Sequence, residues 1–462
     1  MLFGKRSASY RIDMCSGPIV PRLLLFTVPL ILSSVLQLLF NAADVVVVGK
    51  YAGDNSLAAV GCVGPLINLL VSLFIGLSIG SNVLASRYYG SGDDNQMART
   101  VHTSMLVSLL GGILLSVVGI VFSSKILVLM NTPEETMELT SLYFRLYCLG
   151  MPASMIYNFG SAILRAVGDT KRPMYYLTAA GIVNVILNLL FVISFHMDVA
   201  GVAIATVISQ IISAFLVVRC LMRESGSIRL DPKKLSIDRD TLFRIIRIGL
   251  PASFQSMLFS ISNVIIQSSV NGFGATVVAG NSAAQNIEGF VYVSMNSFYQ
   301  ACISFVSANV GARKYERINR ILIRSQVCVV ITGMILGGSA YLFSYGLLSL
   351  YTDSPAVMDA GIVRMGYVSL PYFLCGMMDV MVGALRGLGY AILPMIVSLV
   401  GACGLRLLWI FTFFRMPMFH EPRYLYITYP VSWTVTFLTH VICYVIVKRK
   451  FDRTHSQRLN LD

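Results

Sequence analysis

Charged residues are scarce in this chain. Asp, Glu, Lys and Arg make up 12% of its 462 residues, whereas 56% are hydrophobic and the mean hydropathy is +0.74. A typical soluble domain carries about 25% charged residues. The composition therefore excludes an ordinary soluble protein and indicates a chain that folds in lipid.

Residues that build metal or nucleotide sites are also few. The five histidines form no HExxH pair, the nine cysteines form no CxxC motif, and no Gly-rich loop of Walker type is present. Zinc and nucleotide sites depend on such spacings. Because no nucleophile with a base stands out either, we expect no enzyme, no cofactor and no ATP-driven pump within this chain.

The chain has a net charge of +13, and its cations are distributed unevenly between the two sides of the membrane. If the apolar runs span the membrane, all but seven of the 35 Lys and Arg residues fall in alternate loops on one side. The exceptions are Lys50, Lys125, Arg145, Arg364, Arg406, Arg415 and Arg423. The positive-inside rule makes the rich side cytoplasmic, so both termini are expected there, in a multi-pass protein of the cell membrane. Cations that cap helix ends form no single face, which argues against a nucleic-acid partner.

Long apolar runs recur along the whole chain, and each is near the roughly 20 residues that a spanning helix needs. They lie at 19–48, 57–85, 101–129, 142–164, 175–195, 201–218, 248–270, 277–310, 321–350, 362–385, 392–414 and 424–447. The prediction is an all-α integral membrane protein with about twelve transmembrane helices in two pseudo-symmetric six-helix bundles. The charged stretch 223–243 is the expected cytoplasmic linker between an N-lobe, 1–222, and a C-lobe, 244–462.

An internal repeat supports this division. The segment ILRAVGDTKRPM at 163–174 returns as ALRGLGYAILPM at 384–395, with Leu, Arg, Gly, Pro and Met in common. The offset of 221 residues also relates Gly53 to Gly274 and Asn158 to Asp379. Parallel duplication in an apolar chain is typical of secondary transporters, whose substrate site lies between the halves near the bilayer midplane.

Polar residues inside the first predicted helix share one face. Gln37, Asn41 and Asp44 are spaced by four and three residues, so their side chains project together. An ionisable group at membrane depth costs roughly 2.5–3.5 kcal/mol and usually marks a pathway. The alternative is that Asp44 ends the helix near the outer interface.

The fifth predicted helix carries two amides, Asn184 and Asn188, one turn apart. Their depth matches that of Asp44, so the two helices are expected to share a polar pocket. The alternative is that the amides join helices for stability alone.

Three further ionisable groups are expected in the cavity of the second half. Asp379 precedes Arg386 by seven residues, as Asn158 precedes Arg165, and the repeat has changed from amide to carboxylate. We expect Arg165 and Arg386 to extend to the cytoplasmic headgroups. Glu288 and Arg406 lie at similar depths in the eighth and eleventh runs and are expected to form a buried ion pair.

The chain resembles the multidrug and toxic compound extrusion (MATE) family of transporters over nearly its whole length. The resemblance rests on NAADVVVVGKYAG at 41–53, ILRAVGDTKRPM, NVILNLLFV at 184–192, IGLPASFQ at 248–255 and GALRGLG at 383–389. It implies two six-helix lobes and export of amphiphilic, often cationic compounds in exchange for H⁺ or Na⁺ by alternating access.

The resemblance also implies roles for single residues. Asp44 looks like the first-helix carboxylate implicated in ion coupling, and Asn184 like the fifth-helix Asn of that site. Asn188 stands where several members have Asp, and Gln255 where one branch has a Glu of a Na⁺ site. We expect drugs or toxins and membrane lipid as partners, with no obligate protein partner. The alternative function is a flippase of lipid-linked oligosaccharide or another lipid in the same superfamily.

Overall fold

The computed structural model describes residues 10–130 and 132–459, which form helices and turns with no β-strand among them. Ten helices in these ranges are long and apolar enough to cross a membrane. Two further helical stretches, at 134–166 and 275–311, occupy the places of the fourth and eighth predicted spans. The predicted all-α membrane fold is confirmed.

Contacts divide the described residues into two compact units. The first comprises residues up to Asp13 together with Leu32–Ser253. Its helices are α1 (Ile19–Tyr51, from Leu32 onward), α2 (Asp54–Ser91), α3 (Asp94–Leu129), α4 (Glu134–Leu149), α5 (Met151–Ala166), α6 (Lys171–Leu189), α7 (Asp198–Arg223) and the beginning of α8 (Arg239–Asn271). At its centre α5 packs against α2, α3 and α7.

The second unit comprises Met14–Ile31 and the residues from Phe254 onward. Its remaining helices are α9 (Ala275–Gly311), α10 (Tyr315–Leu342), α11 (Ser344–Leu348), α12 (Pro355–Tyr367), α13 (Phe373–Gly387), α14 (Ile392–Ser398), α15 (Leu405–Phe411), α16 (Pro422–Tyr426) and α17 (Thr428–Leu459). Here α13 is central and packs against α9, α10 and α17.

The repeat in the sequence is also a repeat in packing. Helices α2, α3 and α6 begin 221 residues before α9, α10 and α14, and the central helices α5 and α13 contact corresponding neighbours. Two pairs of duplicated glycines have backbone conformations that favour glycine. Gly53 and Gly274 both precede a helix with φ of 83° and 91°, and Gly168 and Gly389 have φ of 85° and 99°. These left-handed conformations strain any residue with a Cβ atom.

The boundaries between the units fall inside helices and close to prolines. One boundary follows Ile31, two residues beyond Pro29 in α1. The other follows Ser253, two residues beyond Pro251 in α8. A helix loses a backbone hydrogen bond at an internal proline, so both helices are weakened near the change. The lobe boundaries predicted from the sequence place these short segments differently and stay a prediction.

The charged linker is ordered by hydrogen bonds to the first unit. Its backbone N–H groups at Asp231 and Asp238 donate to His102 Nε2 and Thr103 Oγ1 of α3, both at 3.1 Å. Asp238 then caps α8, because its Oδ1 accepts from the backbone N and the Oγ1 of Thr241 at 2.9 and 2.6 Å. These hydrogen bonds hold the pKa of Asp238 below its usual value.

Candidate functional site

A chain of hydrogen bonds joins three helices in the first unit. Asn188 Nδ2 donates to Oδ1 of Asp44 and, at 3.3 Å, to Oδ1 of Asn184. Asn184 Nδ2 in turn donates to Oγ1 of Thr206 at 3.4 Å. We call Asp44, Asn184, Asn188 and Thr206 the Asp44 cluster. The contact between the first and fifth predicted spans is thus confirmed.

Close approach of α1 and α6 makes this contact possible. Gly181 lies one turn before Asn184, and a Cβ atom at this position would sit 1.9 Å from the ring of Phe40 on α1. Only a residue without a side chain therefore fits. Helix α1 continues to Tyr51, so Asp44 lies about two turns inside the helix and does not end it.

Apolar and aromatic side chains lie beside Asp44, which is half-buried. Tyr143 and Tyr147 of α4 lie close enough to Asp44 to interact with it electrostatically. Val47 and Val48, one turn beyond Asp44, belong to the same buried core as Tyr143. A charge in such surroundings is stabilised mainly by its few polar partners.

Two residues of the predicted polar face lie outside the cluster. Gln37 and Asn41 are exposed, whereas Asn184 and Asn188 are 5% and 0% exposed. Residues spaced by three and four share a face of a helix, but that face is wider than one hydrogen-bonded group. Asn158 also stays apart, because its Nδ2 donates to the carbonyl of Ser154 in its own helix at 2.8 Å.

In the second unit, the predicted pair of Glu288 with Arg406 is wrong. Glu288 is bound by both arms of Arg364, with Nη2–Oε2 at 2.7 Å and Nε–Oε1 at 3.1 Å. Asn281 Oδ1 accepts from Arg364 Nη1 at 2.8 Å, and Ser369 Oγ donates to Glu288 at 3.3 Å. A bidentate pair with these extra bonds satisfies both buried charges. Depth along two runs did not show which helices are neighbours.

Arg406 instead lies against aromatic rings of α17. Its guanidinium carbon is 4.2 Å from the ring centroid of Tyr429 and 5.4 Å from that of Trp433, and its Nε donates to Ser432 Oγ at 2.8 Å. Arg406 is 4% exposed, and its Nη2 has no hydrogen-bond partner among the described residues. A buried cation without a carboxylate partner is costly unless something binds it.

Arg386 is also buried and does not extend to the headgroups, contrary to prediction. It is 3% exposed and donates to the hydroxyl of Tyr299 and, at 2.8 Å, to Gln255 Oε1. Asp379 interacts electrostatically with Arg386 and Tyr299. The structure therefore joins Arg386 to Gln255 by a hydrogen bond and brings Asp379 within electrostatic range of Arg386, and neither contact was predicted from the sequence.

Several residues that complete these groups were not singled out from the sequence, among them Thr206, Asn281, Tyr299, Arg364 and Ser369. A threonine or tyrosine in an apolar run gives no signal of its own. Arg364 did carry one, since it was among the few cations that the loop count left near the membrane. The loop count assigns it to the outer side or the membrane without choosing between them and without naming a partner.

Each unit has a π-helical segment near its polar residues. In the first, Leu190–Ser194 begins two residues after Asn188, and in the second, Leu399–Gly404 ends two residues before Arg406. Such segments widen the helix and are frequent at functional sites. The Asp44 cluster offers a carboxylate and amide oxygens, which suit a proton or a hard cation better than a soft metal.

Comparison with known proteins gives a consistent picture. The sequence model of the MatE family matches residues 29–190 and 251–412, one match in each half. The probable multidrug resistance proteins YoeA and YpnP of Bacillus subtilis (strain 168) are 28% and 26% identical, covering 82% and 85% of this chain and 84% and 88% of theirs. The solved outward-facing conformation of a multidrug resistance MATE family transporter of the MOP superfamily superposes with a TM-score of 0.88 at 20% identity, covering 96% and 98% of the two chains.

Proposed function

The chain belongs to the MatE family of multidrug efflux transporters, and on that premise we propose that it is a secondary active antiporter that exports amphiphilic, often cationic compounds in exchange for H⁺ or Na⁺. Alternating access of its two halves would carry the exchange. Its family places it in the cell membrane, and the distribution of Lys and Arg supports cytoplasmic termini.

The Asp44 cluster is the observation that carries this proposal. It holds a carboxylate inside a spanning helix among apolar side chains, with Asn188 as its hydrogen-bond donor. A carboxylate in such a place can hold a proton, a small cation or the positive group of a substrate. Two of these ligands cannot occupy one carboxylate together, so ion and substrate would compete.

Competition at Asp44 accounts for export. When Asp44 is free on the cytoplasmic side it would bind a cationic substrate, and an ion arriving from outside would displace that substrate. Linkage makes the effect mutual: if the bound ion weakens substrate binding, the bound substrate must weaken ion binding by the same factor. The names of YoeA and YpnP support a small-molecule drug as the cargo.

Transport in proteoliposomes tests the proposal. A fluorescent cationic dye would be supplied with either a pH gradient or a Na⁺ gradient, and one gradient is expected to drive its movement. Asp44→Asn keeps the shape of the side chain without its charge and should reduce this movement to the leak. Asp359→Asn is the matched control, because Asp359 is exposed on α12 and should transport normally. Folded protein that moves no dye under either gradient would refute the antiporter.

One observation favours a second candidate, a flippase of lipid-linked oligosaccharide. Arg406 is buried in the second unit and has no ion-pair partner among the described residues, which would suit an anionic group such as a pyrophosphate. A flippase would translocate a labelled lipid-linked oligosaccharide without any ion gradient and lose that activity in Arg406→Gln. An antiporter would show gradient-driven dye transport instead.

A further inference from the structure

A cavity of about 230 Å³ lies in the second unit, away from all the groups described above. One wall is the backbone and side chains of residues 17–21, where α1 begins. The opposite wall consists of Arg317, Arg320 and Arg324, in the first three turns of α10. We call this cavity the arginine pocket.

The wall at the beginning of α1 is held in a fixed shape. The backbone carbonyls of residues 14–17 accept hydrogen bonds from Asn309 Nδ2, Lys314 Nζ and Arg317 Nη2 at 2.7–2.9 Å. Gly17 has a φ of 58°, which favours glycine, and a Cβ atom there would lie 2.7 Å from the guanidinium of Arg22. The pocket is therefore built by specific contacts and is not a gap between mobile side chains.

The charges in the pocket all have one sign. Arg317, Arg320 and Arg324 are spaced by three and four residues, so they share a face of α10. Arg320 and Arg324 are exposed, and neither makes a hydrogen bond or an ion pair with any residue that the structure describes. The first turn of α1, which forms the other wall, contains no acidic residue, and a helix N-terminus adds partial positive charge.

Both helices continue from the pocket with apolar surface. On α1, Leu24 and Leu25 are 40% and 55% exposed, and on α10, Ile323 and Val327 are 63% and 52% exposed. Both helices are long and apolar enough to span the membrane, so this surface faces acyl chains. The cations therefore lie where this apolar surface begins, which is the level that lipid headgroups occupy.

We propose that the arginine pocket binds the phosphodiester headgroup of an anionic phospholipid. Guanidinium groups bind phosphate through paired N–H donors, and the neighbouring apolar surface accommodates the acyl chains. Basic pockets between spanning helices on the cytoplasmic side are suited to such headgroups. Arg317 both orders the wall and faces the pocket, whereas Arg320 and Arg324 are available to the lipid.

Lipid binding to the purified full-length protein in neutral detergent tests the proposal. Phosphatidylglycerol, phosphatidylcholine and inorganic phosphate would be titrated separately, with bound lipid counted by native mass spectrometry. Phosphatidylglycerol should bind, and the double variant Arg320→Gln, Arg324→Gln should bind it about 30-fold more weakly, at roughly fivefold for each cation. Each single variant should show about a fivefold loss, which preserves the test if the double variant unfolds.

The matched control removes two arginines of the same spacing elsewhere. Arg219 and Arg223 are exposed near the end of α7, four residues apart like Arg320 and Arg324, and lie outside the pocket. Arg219→Gln with Arg223→Gln should leave the affinity unchanged. Equal losses in both double variants would show a non-specific charge effect and overturn the pocket. Inorganic phosphate that binds as tightly as the lipid would overturn its assignment to a lipid.

Discussion

Asn188 donates a hydrogen bond from Nδ2 to Oδ1 of Asp44, across 144 positions of the chain. It is the hydrogen bond that connects α6 to the carboxylate of α1. Its second bond, to Asn184 Oδ1, orients the amide so that an N–H points at Asp44. Asn188 therefore satisfies one oxygen of the Asp44 carboxylate.

Removal of this amide should impair transport more than removal of its neighbour. Asn188→Ala deletes a hydrogen bond to a charged group, worth about 1.5–3 kcal/mol, so gradient-driven transport should fall roughly 10- to 100-fold. Asn184→Ala leaves the bond to Asp44 in place and should lower transport less than about fivefold. Initial rates in proteoliposomes, normalised to folded protein, decide between them. Equal losses in the two variants would contradict the role given to Asn188.

The buried pair of Glu288 and Arg364 should matter for stability. Glu288→Gln leaves the guanidinium buried without its counter-charge and should lower the free energy of unfolding by about 3–5 kcal/mol. The exposed pair of Glu421 and Arg423, at 2.7 Å, is the control, and Glu421→Gln should change stability by less than about 1 kcal/mol. Thermal unfolding in detergent measures both. A double change, Glu288→Gln with Arg364→Met, should be less destabilising than the sum of the single changes.

Gly181 should tolerate no side chain. Gly181→Ala places a Cβ atom against the ring of Phe40 and should destabilise the first unit by about 1–3 kcal/mol, while moving Asn188 away from Asp44. Gly61→Ala in α2 is the control, since its Cβ atom would meet nothing within 4 Å and alanine favours a helix by up to about 1 kcal/mol. Unfolding and transport should be measured together. Recovery of both by adding Phe40→Leu would support the contact, and a fully stable Gly181→Ala would refute it.

Much of the architecture was predictable, because apolar runs, the 221-residue repeat and the loop charges each report a property of single segments. Matching depth led to the expected contact of Asp44 with Asn188, which the structure contains. The same criterion gave the wrong partner for Glu288, because depth alone does not determine which helices adjoin. Arg364 lies in α12, which is separated from α13 by a 3₁₀ turn at Leu370–Tyr372. Because such a break changes the helical repeat, the periodicity of the apolar run does not show which way the side chain of Arg364 points.

Arg386 illustrates a different limit. Near the end of an apolar run an arginine ordinarily extends to the headgroups, but here a tyrosine and a glutamine from two other helices supply its partners inside the protein. Pairs of this kind depend on three helices at once. A single sequence shows the properties of each helix separately and does not show which side chains of three helices meet.

The second unit includes Met14–Ile31, with Phe26 packed edge-to-face on Phe305, although the rest of that unit begins only at Phe254. During synthesis this segment is made before its packing partners. At about 5–20 residues per second, the ribosome needs on the order of 10–40 s to complete the intervening chain. For that interval the leading segment is inserted without the helices it will pack against, so the second unit can close only after most of the chain has been made.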